Sequence, residues 1–173
     1  MHLRPATPAD QQLLEHWDRQ PHVIANAGED GGFDWPTELP RRPPWRELLI
    51  AEHRGRPIGF IQIIDPHLEE TRYWGEIAPK LRAIDIWIGE AADTGRGLGR
   101  AMMRQALERC FADPAVTAVL VDPLTSNTRG HRFYQRLGFE PTERRTFGTD
   151  DCLVHRLERA RWQALSDRSR DGR

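Results

Sequence analysis

Apolar residues along the chain keep two different rhythms. The Leu- and Ile-rich runs at 48–52 and 58–64, and the run 81–88 (Leu-Arg-Ala-Ile-Asp-Ile-Trp-Ile), have strand composition. By contrast, Leu98, Met102, Ala106 and Cys110 recur every four residues, as along one side of a helix over 97–111. Arg54-Gly55-Arg56-Pro57 joins the first two runs as a hairpin turn. Residues 3–5 open a short strand, and Thr7 or Asp10 caps a helix carrying Leu13, Leu14 and Trp17. Residues 116–121 read as a strand, 127–137 as a helix stopped by Gly138, and 139–147 and 152–157 as two closing strands. The predicted order is β-α-β-β-β-α-β-α-β-β. Such interleaving implies an α/β fold with a mixed, partly parallel central sheet flanked by helices.

A length of 173 residues suits one domain, able to bury roughly 70% of its unfolded surface with no disulfide or metal to hold it. The organised domain is expected over 1–162, with 163–173 a polar, Arg-rich, frayed tail. Residues 20–45, with Gly28, Gly31, Gly32 and several prolines, read as a long surface excursion. The formal charge of −1 removes the electrostatic footprint of a nucleic-acid binder. No apolar run reaches 18 residues and the polar start has no leader pattern, so a cytoplasmic protein without membrane contact is expected. Cys110 and Cys152, far apart and in no metal-ligand spacing, read as buried free thiols, and no metal site is expected.

The most informative stretch is Thr94-Gly-Arg-Gly-Leu-Gly-Arg100, between the 81–88 strand and the following helix. Glycines let backbone N–H groups approach an oxyanion closely, and a helix start adds partial positive charge, so a phosphate site is predicted. Arg96, Arg100 and Arg104 lie along one flank of that helix. Neither the dinucleotide motif nor a P-loop fits, because position 100 is Arg.

A second strand-helix unit runs Leu120-Val-Asp-Pro-Leu-Thr-Ser-Asn127, then Thr128-Arg-Gly-His-Arg-Phe-Tyr134-Gln-Arg-Leu-Gly-Phe139. Together with the glycine loop it resembles the GNAT acetyltransferase superfamily over about residues 3–157. The resemblance implies acetyl-CoA as cosubstrate, its diphosphate held by Gly95, Arg96, Gly97, Leu98, Gly99 and Arg100. It further implies pantetheine amides paired with Ile86, Trp87 and Ile88 in a strand bulged over 86–89, Asn127 on the pantetheine arm, and Tyr134 near the thioester sulfur. Thr94 stands where the family usually has Gln or Arg.

Arg82-Ala-Ile-Asp85, Phe111-Ala-Asp-Pro114 and Asp122-Pro123 before Ser126-Asn127 are similar in particular to the aminoglycoside 6'-N-acetyltransferase branch, which places carboxylates at Asp85 and Asp122. That branch has a tryptophan-rich stretch where this chain has Ala25-Asn26-Ala27, so Trp35 is expected to cover the acceptor, with Asp150 as a further acceptor carboxylate.

An alkylammonium of pKa about 10.4 must lose a proton before its nitrogen attacks a thioester. Asp85, directly or through water, is the candidate base, and Tyr134 the candidate acid for the departing thiolate. Residues 65–93 are locally acidic and 94–110 basic, which would steer a polycationic acceptor and a polyanionic cosubstrate to different sides. Three serines outside any nucleophile elbow, and no H-E-x-x-H pair, favour direct transfer. The expected partner is a small-molecule amine, aminoglycoside-like, with the protein a monomer or homodimer. Another amine acceptor, a non-catalytic acyl-CoA-binding module and an Arg-rich nucleic-acid adaptor are the alternatives.

Overall fold

In the computed structural model, which describes residues 1–28 and 32–171, seven strands form one sheet. They are β1 (His2–Pro5), β2 (Arg46–His53), β3 (Arg56–Ile64), β4 (Leu81–Ile88), β5 (Ala118–Val121), β6 (Glu140–Phe147) and β7 (Asp150–Glu158), in the spatial order β1-β2-β3-β4-β5-β7-β6. β4 and β5 pair in parallel and each other neighbouring pair is antiparallel. The sheet is mixed, as the interleaved elements implied.

One face is covered by α1 (Gln11–Asp18), α2 (Pro21–Ala27) and α3 (Trp35–Glu38), which pack Leu14, Trp17, Trp35 and Leu39 onto Ile50 and Phe60. The other carries α4 (Leu98–Ala112), α5 (Thr128–Arg136) and α6 (Arg159–Asp171). The four-residue rhythm of α4 is realised there: Met102, Met103, Ala106 and Leu107 are fully buried against Ile61, Ile63 and Ile84. A third cluster, around Trp74, Leu120 and Phe147, fills the first face beyond β4.

Three expectations change. The 20–45 segment is built from two helices that anchor buried Val23, Trp35 and Leu39; of its glycines, Gly31 lies outside the described residues. The chain stays helical past Ser166, because Trp162 stacks on Phe111 at 6.0 Å and Leu165 sits where a Cβ on Gly138 would be, 2.4 Å from Leu165 Cδ1. Finally, β4 keeps an unbroken register with β3 from Ala83 to Ile88, so the bulge expected there is absent; the sheet's register shifts lie at Ala51/Glu52 and Pro141/Glu143 instead.

Candidate active site

The parallel pair β4·β5 is joined over three residues, Leu81↔Ala118 to Ala83↔Leu120, and then parts. β4 stays with β3, where Gly89 N–H donates to Ile58 O at 2.9 Å, while the chain after β5 follows β7 through Leu153 N–H to Pro123 O (3.0 Å) and Thr125 N–H to Asp151 O (2.8 Å). A gap through the sheet results. Backbone groups alternate sides along a strand. Gly89 faces β3, whereas Lys80 O accepts from Thr117 N–H on the β5 side, so Ile84, Ile86 and Ile88 turn their backbone groups into the gap. Trp87 does not: its main chain belongs to the β3 ladder, and its ring packs 4.5 Å from Phe60. Of the Ile88 groups, the carbonyl already accepts from His22 Nε2 at 2.9 Å.

Two carboxylates meet at the gap. Asp85 lies opposite Gln62 across the β3·β4 pair, and Gln62 Nε2 donates to its Oδ2 at 2.7 Å. Asp122, just past β5, accepts from the Tyr73 hydroxyl at 2.7 Å, and the Tyr73 ring stacks on Phe147 at 4.5 Å. Both partners are neutral. Burial raises the Asp85 carboxyl above the ordinary carboxylate range despite the Gln62 hydrogen bond. Burial and then the Asp85 charge push Asp122 up to about 7, against the lowering effect of Tyr73. Tyr134 reaches the gap from α5 on the other side of the sheet. Burial, then both carboxylates, hold its phenol above the usual value, so it stays protonated. Its hydroxyl meets no hydrogen-bond partner among the described residues.

The glycine loop ends in a helix start built to be left open. Gly97 is the residue before α4, left-handed at φ 78°, with no side-chain cap, and a Cβ there would meet nothing within 4 Å. The first N–H groups of α4 have no intrahelical partner, and they point into that space. Asp93, clamped by Arg56 at 2.8 Å and 2.8 Å, fixes the loop and also takes Arg96 at 3.1 Å. Thr94 donates back to Ala91 O. Asn127 caps α5, its Oδ1 accepting from Gly130 N–H at 2.8 Å.

Several sequence-derived roles are redistributed. Trp35, expected over the acceptor, is 1% exposed: its Nε1 donates to Asp18 at 2.5 Å and Phe33 and Phe60 cover its ring. A ring so enclosed is core. Asp150 begins β7 and presses on Gly28, where a Cβ would fall 2.1 Å from its Oδ2. The acidic excess of 65–93 is mostly used internally: Asp65 holds Arg82, Glu69 accepts from Thr71 and Tyr73 N–H, Glu70 holds Arg41, Glu90 meets His16, and Asp93 meets Arg56. Sequence reasoning missed Gln62, Tyr73 and Arg129, the last reaching to 3.9 Å from a Cβ placed on Gly95. Only the pairing of Gln62 with Asp85 was traceable, through the β-run alternation of 58–64 and 81–88. Cys110 and Cys152 are buried free thiols, each pushed up to about 12 by burial first. Among the described residues no cluster of three His, Cys, Asp or Glu could hold a metal, and no helix is long and apolar enough to cross a membrane.

A split parallel pair beside an uncapped, glycine-led helix start defines an acyl-CoA transferase architecture, and residues 6–147 match the acetyltransferase (GNAT) domain family. The chain belongs to the GNAT acetyltransferases and is an N-acetyltransferase using acetyl-CoA. It is 30% identical over 148 residues to the aminoglycoside N(6')-acetyltransferase type 1 of Klebsiella pneumoniae, covering 80% of this chain and 73% of that one. The solved structure of aminoglycoside acetyltransferase AAC(6')-Ib with coenzyme A superposes with a TM-score of 0.84 at 27% identity, over 95% of this chain and 98% of that one. The same enzyme with coenzyme A and kanamycin gives 0.83 at 27% identity, over 95% and 98%. The donor fits the residues present: open strand-edge amides and carbonyls at Ile84 and Ile86 suit an amide-bearing arm, and the uncapped α4 start suits a diphosphate.

Proposed function

We propose that the protein acetylates a primary amine of an aminoglycoside in the cytoplasm, protecting its host from the antibiotic. The carrying observation is the Asp85 and Asp122 pair, two adjoining carboxylates whose protein partners are both neutral. A polycationic amine is the ligand that relieves their repulsion. The kinship to the Klebsiella enzyme and the likeness to the kanamycin complex support this choice of acceptor.

Acetyl-CoA supplies an electrophilic acyl carbon and a thiolate leaving group. Backbone groups of Ile86 and the N–H of Ile88, whose carbonyl already accepts from His22, would take the arm's amides, with the side-chain N–H groups of Asn127 as further donors. The α4 start, with Gly95, Gly97, Leu98 and Gly99 and the side chains of Arg96 and Arg100, would hold the diphosphate. The incoming ammonium binds between the carboxylates and favours their ionised forms, their protons passing to solvent, because a cation favours the charged carboxylate. Asp85 then takes one proton from the nitrogen, directly or through water, freeing its lone pair for attack, and the nitrogen loses its second proton to solvent as the tetrahedral intermediate collapses to the amide. Tyr134 gives its proton to the departing sulfur, and solvent returns the proton from Asp85 to Tyr134. Both thiols, with pKa values of about 12, are poor nucleophiles at neutral pH, which supports direct transfer without an acyl-enzyme.

Thiol release from acetyl-CoA tests this. Kanamycin-type aminoglycosides should be turned over in preference to polyamines, peptide N-termini and hydroxylamines; turnover confined to any of those classes refutes the acceptor. Tyr134→Phe should lower kcat about 10²-fold with the acceptor KM unchanged. Full turnover in that variant would mean that water or substrate supplies the proton.

A further inference from the structure

No hydrogen bond from a described residue directs the Tyr134 hydroxyl, so its aim depends on the rings around it. Phe133 lies 5.2 Å away on α5, and Phe139, 5.7 Å away, donates its N–H to Tyr134 O at 3.1 Å, so both travel with the helix. The third ring, His155 at 6.1 Å, belongs to the sheet. His155 is fully buried in β7, opposite Val121 at the end of β5. Side chains alternate along a strand, and Leu157 lies in the core beneath α4, so the imidazole faces α4 and α5. It is costly there, because its Nδ1 is buried and meets no partner. Its other nitrogen is engaged. His155 Nε2 lies 2.9 Å from His131 Nδ1, and His131 Nε2 lies 3.2 Å from Thr125 O. A carbonyl oxygen only accepts, so His131 Nε2 carries a hydrogen; in the neutral pair its Nδ1 is bare and His155 Nε2 donates to it. Burial, then His131, lower the His155 imidazole to about 4, so this ring is neutral at neutral pH. Thr125 closes the circuit, its N–H and hydroxyl donating to Asp151 O of β7 at 2.8 Å and 2.9 Å.

We infer that His155, oriented by His131, is a positioning residue that sets the angle at which the Tyr134 phenol enters the gap. The inference rests on the general-acid role of Tyr134 given above. His131 and Tyr134 are three residues apart and so share one face of α5, and His155 meets both. Leu137 and Phe139 also fill this core, but apolar contact is non-directional: it resists separation and permits sliding. A hydrogen bond between two buried rings permits one register. An acid that must reach a departing sulfur has to be held within about 0.5 Å of its productive place. Two apolar side chains would fill the same space without an orphaned nitrogen. What the two imidazoles add is direction.

Steady-state kinetics with acetyl-CoA and the amine turned over fastest, kanamycin being the one expected, test the assignment. His155→Leu, alone or with His131→Leu, should lower kcat about 10-fold and leave KM for both substrates unchanged. The double variant, with no buried polar atom left unpaired at the two positions, should melt no lower than the unaltered protein. His131→Gln should lose far less, since an amide accepts from His155 and donates to Thr125 O as the imidazole does. On a Tyr134→Phe background His155→Leu should cost nothing further, because the group it aims is gone. An equal loss on that background, a loss confined to the acetyl-CoA KM, or a fall in His131→Gln as deep as in His155→Leu overturns the inference and leaves the acid role standing. Full turnover in Tyr134→Phe overturns the acid role and the inference with it.

Discussion

Asp10 and the Asp85·Asp122 pair are carboxylates drawn away from water and held in opposite ways. At Asp10 burial opposes ionisation, but both nitrogens of the Arg4 fork (2.9 Å and 2.7 Å) and the Thr7 N–H (2.8 Å) and hydroxyl (3.0 Å) outweigh it, so the carboxyl lies below its ordinary range. At the gap the partners are Gln62 and Tyr73, and burial wins. The chain sets a cation directly on the carboxylate that ties β1 to the first helix, whereas at the opening only the Arg145 charge acts on Asp122, from beyond ion-pair distance. A buried acid without a cation is costly. At this gap the cost leaves the cation's place to a ligand.

The widest separation between the two regions should come from one substitution in each. Asp85→Asn should cut kcat/KM for the amine by about 10²- to 10⁴-fold while leaving the melting temperature equal or higher, because it removes a repulsion. Asp10→Ala should leave turnover alone and lower stability in urea by about 2 kcal/mol, from the lost cap and charged hydrogen bonds. Exchanged phenotypes would break the comparison.

A smaller effect appears in the pH dependence. Asp122 holds its proton to about pH 7 folded and to about 3.9 unfolded, so its ionisation destabilises the fold progressively as pH rises from about 4 to 7. Asp10 has the opposite sign, contributing stability above about pH 4 that is lost on acidification. His155, lowered to about 4 by burial and then by His131, adds stability with rising pH over about 4 to 6.5, so the Asp122 contribution is the difference between the protein and Asp122→Asn. That variant should gain melting temperature at pH 8 relative to pH 5. Kanamycin should stabilise the unaltered protein more at pH 8 than at pH 5.

The smallest change sharpens the role of the neutral partner. Tyr73→Phe keeps the stack on Phe147 and removes the hydrogen bond that lowers Asp122. The acceptor KM should rise a few-fold and the acid limb of the pH–rate profile should move to higher pH, with under ~1 kcal/mol of stability lost. An acid limb left in place would show that Tyr73 does not tune the pair.

Much of this molecule is legible along the chain wherever the cause is local. Strand β4 was read to its last residue, and α4 to within one residue at each end, because face alternation and four-residue spacing are enforced by the backbone's own hydrogen bonds. The glycine loop ahead of α4 and the run from Asn127 to Gly138 were visible from their local residue types; the left-handed φ at Gly97 was added by the structure. Trp35 was misread because the prolines and glycines around it speak for exposure, while its burial depends on Asp18 and Phe60 arriving from elsewhere in the chain.

The sequence by itself determined the order of the seven strands and of the helices α1, α4 and α5 among them, the open helix start and the candidates Asp85 and Tyr134, all consequences of short-range geometry. The tertiary structure alone decided that β5 leaves β4 for β7, that the two carboxylates receive neutral partners, and that Trp35 is core. Those outcomes depend on which distant surfaces bury one another, and that competition is settled by the summed packing of the whole domain rather than by any residue's neighbours in the chain.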